Sequence, residues 1–249
     1  MIIAIINQKG GVAKTTTTGA LAAGLKIRGN NVLAIDLDSQ GNLSYAMKAE
    51  NNNLSSYSLL SGQAPIKDII QHTEVGNIVP ASPLLSRTDI ELDMVGKEYK
   101  LKEALFDVVY DFILIDTPPA LSILTVNALA AADEVIIPAQ ADVFSLQGIG
   151  QLYNTIDTVK KYCNPNLSVA GILLTRFNQR AVLSNHIQKL LDNATSSMET
   201  ILFKTYIRTA ISVQESQYKR ENLAEYDSKG TAMTDYANYL AELEEVING

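Results

Sequence analysis

The sequence predicts an α/β fold in which a mostly parallel, doubly wound sheet is flanked by helices. Three observations lead to this fold class. Short apolar runs recur along the 249 residues and are continuous rather than alternating, as in strands buried on both faces. Segments of helical length separate these runs, and such an alternation is typical of parallel sheets. Polar clusters follow three of the runs directly, and ligands of such sheets bind beyond the carboxyl ends of the strands.

The predicted elements alternate along the whole chain. The first strand is the β-branched run at residues 2–6, and the Ala/Leu-rich segment at residues 15–28 predicts the first helix, with Gly29 at the expected C-terminal cap. Further strands are predicted at residues 32–36, 77–80, 112–116, 135–138 and 169–175, with a weak candidate at 201–203. Further helices are predicted at residues 88–106, 122–132, 146–162, 181–193 and 231–247. Because we find no Pro-, Gly- or Ser-rich linker and no repeat, we expect residues 1–249 to form one domain.

Composition excludes several classes of protein. Hydrophobic residues make up 47% of the chain and charged residues 19%, which rules out a chain that is disordered throughout. The 20 basic and 27 acidic residues give a net charge of −7, which argues against a uniformly basic nucleic-acid binder. A single cysteine excludes an intramolecular disulfide framework. No apolar run reaches the roughly 18 residues of a membrane span, and the apolar start lacks signal-peptide features, so we expect a cytoplasmic protein.

The segment QKGGVAKTT joins the first predicted strand to the first predicted helix and has the composition of a phosphate-binding loop. Glycines let backbone N–H groups turn toward phosphate oxygens, and the helix N-terminus adds partial positive charge. Lys14 is placed to reach the β- and γ-phosphates, and the Thr15 hydroxyl to bind Mg²⁺. The strict pattern G-x-x-x-x-G-K-[ST] fails because Gln8 and Ala13 replace its glycines. Lys9 marks a variant form, K-G-G-x-x-K-T.

Aspartates follow two of the other predicted strands. Asp116 ends the run FILID, where a carboxylate can hold a Mg²⁺-bound water. Asp36 and Asp38 end the second strand, and Asp38 begins a polar stretch that suits a loop near the γ-phosphate. We interpret Asp38 as the residue that positions or activates the attacking water, and as a candidate Mg²⁺ ligand together with Thr15 and Asp116. The alternative for Asp38 is a cap on a short helix near Leu43; for Asp36 a structural role is favoured.

Three segments, KGGVAKTTT, IDLDSQGN and ILIDTPPALSILTVNAL, resemble the ParA/Soj group of deviant Walker A ATPases in the MinD/ParA family. The likeness continues through PAQADVFSLQGI, GILLTRFNQR and IRTAISVQESQ, and runs from about residue 1 to residue 247. It implies a P-loop NTPase fold of the deviant Walker A type that binds ATP and Mg²⁺. The resemblance is to the short ParA type, which lacks an N-terminal DNA-reading domain.

The resemblance also implies roles for individual residues. Lys9 matches the signature lysine that crosses to the ATP of a partner subunit, and Lys9, Lys14 and Asp38 become the predicted catalytic residues. Asp38 matches the switch I aspartate, and Asp116 matches the switch II (Walker B) aspartate. Asn178, in RFN, resembles the asparagine that reads adenine in MinD relatives, with a loop Asn that caps the next helix as the alternative. The predicted phosphate-binding segment comprises Lys9, Gly10, Gly11, Val12, Ala13, Lys14, Thr15 and Thr16.

The function implied by the resemblance is ATP-dependent DNA segregation of a plasmid or chromosome. ATP closes a sandwich homodimer, which binds DNA without sequence preference and so associates with the nucleoid. A ParB-type centromere-binding partner stimulates hydrolysis, which is expected to be weak alone and which releases the dimer. A related positioning or regulatory ATPase with a protein cargo is the main alternative. A MinD-like membrane ATPase is disfavoured, because the tail AELEEVING is acidic where lipid binding needs a basic amphipathic helix.

Candidate DNA contacts come from the net-positive part of the chain. Residues 176–229 carry 8 basic and 6 acidic residues, whereas residues 230–249 carry 4 acidic residues and no basic ones. Binding to phosphates requires clustered Lys and Arg rather than a basic total. For any single side chain, a solvated helix face is the alternative. Arg176, which directly follows a strand, is expected near the nucleotide instead. The predicted DNA contacts are Arg208, Lys219 and Arg220, followed by Arg180 and Lys189.

Overall fold

A computed structural model describes residues 1–50, 52–91 and 94–248. Within these ranges eight strands form one sheet in the order β3-β4-β2-β5-β1-β6-β7-β8. Neighbouring strands are parallel except for β3 and β4, so the predicted mostly parallel sheet is confirmed. The strands are β1 (Ile2–Ile5), β2 (Val32–Asp36), β3 (Gln71–His72), β4 (Asn77–Val79), β5 (Phe112–Asp116), β6 (Glu134–Ala139), β7 (Ser168–Phe177) and β8 (Ile207–Arg208).

Helices connect the strands and cover both faces of the sheet. In the described ranges, 3₁₀ turns lie at Pro83–Arg87, Lys97–Tyr99 and Ser196–Met198. The α-helices are α1 (Lys14–Ile27), α2 (Asn42–Ala46), α3 (Ser56–Leu60), α4 (Ile66–Ile69), α5 (Thr88–Glu91), α6 (Lys100–Ala104), α7 (Ile123–Ala131), α8 (Val143–Tyr162), α9 (Val182–Thr195), α10 (Ile211–Lys219), α11 (Leu223–Tyr226) and α12 (Thr231–Asn248).

Two hydrophobic layers explain why the strand sequences are apolar throughout. In β1, Ile3 and Ile5 pack into the layer that contains α1 and α12, whereas Ala4 packs into the layer on the opposite face. Successive side chains of a strand point to opposite faces, so a strand covered on both sides needs apolar residues at every position. This is the physical basis of the doubly wound arrangement, and it holds the carboxyl ends of β1, β2 and β5 at one edge.

Helix α12 packs closely against α1. A Cβ added at Gly24 of α1 would lie 2.8 Å from Leu240 Cδ2, so the absence of a side chain at position 24 permits this approach. Tyr236 and Tyr239 of α12 are fully buried in the same layer, and the Tyr236 hydroxyl lies 3.1 Å from Thr17 Oγ1. The apolar face of the C-terminal helix is therefore covered by the protein itself.

Two predicted elements were wrong, and local backbone geometry explains both. Residues 88–106 form α5 and α6 rather than one helix, because Gly96 adopts a φ of 80° between them; residues 92 and 93 lie outside the described ranges. Leu202 makes only an isolated parallel bridge to Ile172, and the strand beside β7 is β8, a few residues further on. The first helix ends as expected, with Gly29 at a φ of 88°.

Candidate functional site

The loop between β1 and α1 is shaped to present backbone N–H groups. Gly11 and Ala13 have φ values of 75° and 67°, and Ala13 is the N-cap of α1. The carbonyl of Gly11 accepts a hydrogen bond from Gln140 Nε2 (2.8 Å), and the carbonyl of Val12 accepts one from Thr175 Oγ1 (3.0 Å). A Cβ at Gly11 would meet no atom within 4 Å. The carbonyls are thus tied back to the sheet, and open space remains where a phosphate would lie against N–H groups.

Lys14 starts α1 and is only 7% exposed. Its Nζ donates to the carbonyl of Lys9 at 3.3 Å. Burial lowers the pKa of the Lys14 ammonium, and the nearby carboxylates of Asp116 and Asp38 oppose that shift. A desolvated cation gains most from an anion that enters its site, so the position of Lys14 suits a phosphate.

Thr15 and Asp116 form the candidate magnesium site. Thr15 Oγ1 donates to Asp116 Oδ2 at 2.6 Å, and Asp116 is fully buried at the end of β5. Burial raises the pKa of the Asp116 carboxyl well above its ordinary value, and the neighbouring Asp36 carboxyl adds to this. Asp116 Oδ1 is buried without a hydrogen-bond partner among the described residues. A hydroxyl and an unpartnered carboxylate oxygen are donors that suit Mg²⁺ or a water bound to it, so the residues fit the ion.

Asp36 holds the segment that follows β2. Its Oδ2 accepts hydrogen bonds from Ser44 N (2.8 Å) and Ser44 Oγ (2.7 Å), and its Oδ1 accepts one from Asp38 N (3.1 Å). Burial raises the pKa of Asp36 to about 6, against the lowering effect of the Ser44 bonds. Asp36 therefore has the structural role favoured from the sequence, because it ties the first turn of α2 to the sheet.

Asp38 lies on the turn between β2 and α2. Its Oδ1 accepts a hydrogen bond from Gln40 N at 3.0 Å, its carbonyl accepts one from Gly41 N at 2.9 Å, and the N-cap of α2 is Gly41. Asp38 is half-buried and lines the same cavity as Lys14. Asp36, rather than Asp38, holds the first turn of α2, so the helix-cap alternative for Asp38 finds no contact in support.

Lys9 forms an ion pair within its own chain. Its ammonium donates to Asp142 Oδ2, and Asp142 also caps α8 by accepting a hydrogen bond from Ser145 N at 3.1 Å. Burial would raise the pKa of Asp142, but the hydrogen bond and charge of Lys9 hold it below its ordinary value. Lys14 lines the cavity and Lys9 does not, so the two lysines of the loop occupy different environments.

A cavity of about 770 Å³ lies beyond the carboxyl ends of β1, β2 and β5. The phosphate-binding loop lines this cavity together with Arg176, Ile207, Arg208 and Val213. Arg176 has a φ of 50° at the irregularity where β7 pairs with β8, and it lines the cavity; its place near the nucleotide stays a prediction. The volume is within the range of small-molecule and cofactor sites.

Of Asn178 and the five predicted DNA contacts, Arg208 alone is in the described lining of this cavity. Asn178 is absent from the described lining of the cavity, and its Oδ1 accepts a hydrogen bond from Arg180 N at 3.1 Å, so its adenine contact stays a prediction. Arg180 and Lys189 are exposed near α9. Arg208 lines the cavity, and its guanidinium donates to both carboxylate oxygens of Asp235, at 2.7 Å in the shortest contact.

The remaining two candidates end α10. Lys219 Nζ lies 4.8 Å from the centre of the Tyr226 ring. Arg220 stacks on Tyr45 of α2 and donates a hydrogen bond to its carbonyl. Arg208 and Arg220 are thus engaged within the chain, whereas Arg180 and Lys189 are exposed and make no ion pair among the described residues.

Several residues of the site were not identified from the sequence. Gln140 and Asp142 follow the carboxyl end of β6, and Thr175 lies near the end of β7, so the rule that ligands bind at carboxyl ends would have indicated all three. Gln217 and Tyr45 carry no comparable signal, because they reach the site through contacts between distant parts of the chain.

Comparison with known proteins finds similar chains, three of which are described here by their identity and coverage. The chain is 36% identical over 249 residues to the sporulation initiation inhibitor protein Soj of Bacillus subtilis, with 97% of each chain covered. It is 37% identical over 246 residues to the chromosome-partitioning ATPase Soj of Treponema pallidum, covering 97% of this chain and 96% of the relative. The solved cobyrinic acid a,c-diamide synthase of Mycobacterium smegmatis with a bound ATP analogue and magnesium has a TM-score of 0.80 and 31% identity over 100% of this chain and 96% of that one.

A parallel sheet whose central strand leads through a lysine-bearing loop into a helix defines the P-loop class of nucleotide-binding proteins. The family model described as an AAA domain matches residues 1–169. Together with the Soj relatives, this match identifies the family: the chain belongs to the ParA/Soj partition ATPases of the deviant Walker A group.

Proposed function

We propose that this protein, as one P-loop domain over residues 1–249, is an ATPase that partitions plasmid or chromosomal DNA. The ATP-bound form is a homodimer that binds DNA without sequence preference, and a ParB-type partner stimulates hydrolysis and so releases it. The observation that carries this proposal is the separation of the two loop lysines. Lys14 lines the cavity of its own chain, whereas Lys9 is outside the described lining of that cavity, is paired with Asp142 and keeps 37% of its side chain exposed.

The residues of the site have separate roles in phosphoryl transfer. The N–H groups of the loop and Lys14 bind and orient the phosphates, and Asp38 orients the attacking water and accepts its proton. Mg²⁺ would be held by Thr15, Asp116 and Asp38. When bound, it neutralises charge on the phosphate oxygens. A second ammonium from Lys9 of a partner copy would stabilise charge in the transition state and would make turnover depend on dimerisation.

Exposed apolar side chains support a face-to-face dimer. Leu121 follows β5 and is 45% exposed, and Phe144 follows β6 and is 76% exposed. Both follow the carboxyl ends of strands, at the edge of the sheet where the cavity lies. Large apolar side chains exposed together at one edge favour association with another protein surface.

A DNA-retention assay tests the proposed function. Purified protein is passed over immobilised DNA of unrelated sequences with ATP, with ADP and without nucleotide, across a series of salt concentrations. We expect retention with ATP alone, independent of sequence and steeply weakened by salt, because two copies bring twice as many cations to the phosphates. Equal retention in all three nucleotide states would refute the proposal.

Charge reversal at α9 tests the DNA surface. We expect the Arg180→Glu and Lys189→Glu double variant to lose at least tenfold in DNA affinity, with the salt slope reduced by about 2 to 4, since two cations are removed from each subunit of the dimer. The control is Lys160→Glu with Lys161→Glu on α8, which changes the net charge equally. If both double variants lose DNA affinity equally, general electrostatics explains the effect, and the assignment of DNA binding to the α9 surface is wrong.

Release of Lys9 is expected to favour the dimer. Asp142→Asn removes the charge that holds Lys9 and keeps an oxygen to cap α8. Because the pair is partly exposed, with side chains 37% and 31% accessible, we expect the dimer dissociation constant with ATP to fall only about two- to fivefold. Analytical ultracentrifugation measures this change. Lys9→Ala should remove the dimer in both backgrounds, and a dimer that persists without Lys9 would show that this residue does not cross the interface.

The protein-cargo alternative is supported by one observation, namely that Arg208 and Arg220 are engaged within the chain. Retention of the ATP-bound dimer on DNA distinguishes the two functions, because a dimer with a protein cargo would form without being retained. The membrane alternative gains no support, since the apolar face of α12 packs against α1. Within the described ranges, no helix combines the length and hydropathy of a membrane span.

A further inference from the structure

Arg220 ends α10 in a backbone conformation that side-chain-bearing residues rarely adopt. Its φ is 54° and its ψ is 40°. The N–H of Arg220 donates to the carbonyl of Gln217 at 3.2 Å, and the N–H of Glu221 donates to the carbonyl of Ser216 at 2.9 Å. This is the pair of bonds that closes a helix in a Schellman motif, where glycine is the preferred residue at the left-handed position. An arginine at this position is strained in its backbone, and contacts made by its side chain can offset that strain.

Those contacts are with Tyr45 in α2, 175 residues away in the chain. Arg220 Nε donates to the carbonyl of Tyr45 at 3.1 Å, and the guanidinium carbon lies 4.4 Å from the centre of the Tyr45 ring. A planar guanidinium can make both interactions at once, whereas an ammonium cannot reproduce the flat stacked geometry. Arg220 therefore holds both the backbone and the ring of one residue of α2.

A second contact joins α10 to the helix of the phosphate-binding loop. Gln217 Nε2 donates to Thr16 Oγ1 at 3.1 Å, and Thr16 directly follows the candidate Mg²⁺ ligand Thr15. The last turn of α10 thus contacts both α1 and α2. These are the two helices that begin at the phosphate-binding loop and at the turn of Asp38.

The turn that carries Asp38 is held at two ends. Asp36 fixes Ser44 and the N–H of Asp38 from the sheet, and Arg220 fixes Tyr45 from α10. Without Arg220, α2 would keep its bonds to Asp36 and lose its support on the side of α10. The catalytic effect of a carboxylate depends on its distance from the attacking water, so a small shift of this turn would slow hydrolysis without removing any group that binds phosphate.

We propose that Arg220 is a positioning residue for ATP hydrolysis, because it holds Tyr45 of α2 and thereby the turn that presents Asp38. This rests on the proposed function of the site, and it gives Arg220 a role other than the DNA contact predicted from the sequence.

The first test separates the side chain from the backbone. Arg220→Gly removes the guanidinium and suits the left-handed backbone, so the melting temperature should stay the same or rise. We expect kcat for ATP, measured without DNA or partner, to fall about tenfold while KM changes less than twofold. Arg220→Lys keeps the charge but not the planar guanidinium, and its kcat should fall nearly as far as that of Arg220→Gly. The control Lys229→Ala removes an exposed charge that has no ion pair or hydrogen bond among the described residues, and should keep parental kcat.

The second test follows the contact between Arg220 and residue 45 by fluorescence. The chain has no tryptophan, so Tyr45→Trp introduces a single indole that retains the stacking surface. We expect its emission to change when a slowly hydrolysed ATP analogue and Mg²⁺ are added, and we expect Arg220→Gly in this background to reduce that change by more than half. A response of equal size in both backgrounds would show that Arg220 does not restrain α2.

The outcomes distinguish this proposal from the proposed function. Parental kcat in Arg220→Gly, with ATP hydrolysis by the parent protein, would overturn the positioning role and leave the ATPase assignment intact. A loss of affinity for ATP with unchanged kcat would also overturn it, because that result would place Arg220 in binding. Failure of the parent protein to hydrolyse ATP would overturn both proposals.

Discussion

Replacing Lys14 by alanine is expected to abolish ATP binding. The ammonium is almost fully buried at the start of α1 and has only the carbonyl of Lys9, at 3.3 Å, as a hydrogen-bond partner among the described residues. A charged hydrogen bond contributes about 1.5 to 3 kcal/mol, and a lysine that contacts two phosphates would contribute more than one such bond. Because each 1.4 kcal/mol is a factor of ten, affinity should fall at least a hundredfold.

Titration with a fluorescent ATP analogue measures this loss. Lys26→Ala is the matched control, since Lys26 lies on the same helix and donates to the carbonyls of Glu74 and Val75 outside the cavity. Lys14→Ala also removes the cation nearest Asp116 and Asp38, so circular dichroism is needed to confirm that the variant folds. A folded Lys14→Ala protein with parental affinity would contradict the phosphate-binding assignment of the loop.

Replacing Asp38 by alanine is expected to stop turnover while ATP binding and dimerisation persist. A positioned general base contributes about 10²- to 10⁴-fold to a rate, and we expect a loss in this range. Asp38 makes no ion pair within the described ranges, so its removal takes a group from the cavity lining without breaking an ion pair that holds the fold. Single-turnover release of phosphate measures the chemical step apart from product release.

Asp38→Asn separates the chemistry from the shape of the turn. An asparagine oxygen can still accept the hydrogen bond from Gln40 N, so the loop keeps its geometry, but the amide cannot accept a proton from water. Both variants should therefore lose turnover, and both should dimerise with ATP. Normal turnover in Asp38→Asn would remove Asp38 from the role of base and leave it only a role in the turn.

The strands and the phosphate-binding loop were predictable because their signals are local. Burial on both faces requires a continuous apolar run, and a Gly-rich loop before a helix has a composition of its own. Helix boundaries were harder to predict where the backbone conformation of a single residue interrupts the helix. Gly96 interrupts the apolar period at residues 88–106, and the period alone does not reveal a φ of 80°. The weak strand candidate at residues 201–203 failed because strand pairing depends on neighbours that are remote in the chain.

By itself, the sequence determined the fold class and the P-loop class of site, because each of these depends on short stretches of chain, and it named the residues that we propose for phosphate and magnesium. Only the tertiary structure decided which partners the basic side chains contact. Lys9 is held by Asp142, Arg208 by Asp235, and Arg220 by Tyr45, across 133, 27 and 175 residues respectively. A charge acts according to the partners that surround it in space, and the packing of distant helices and strands places those partners.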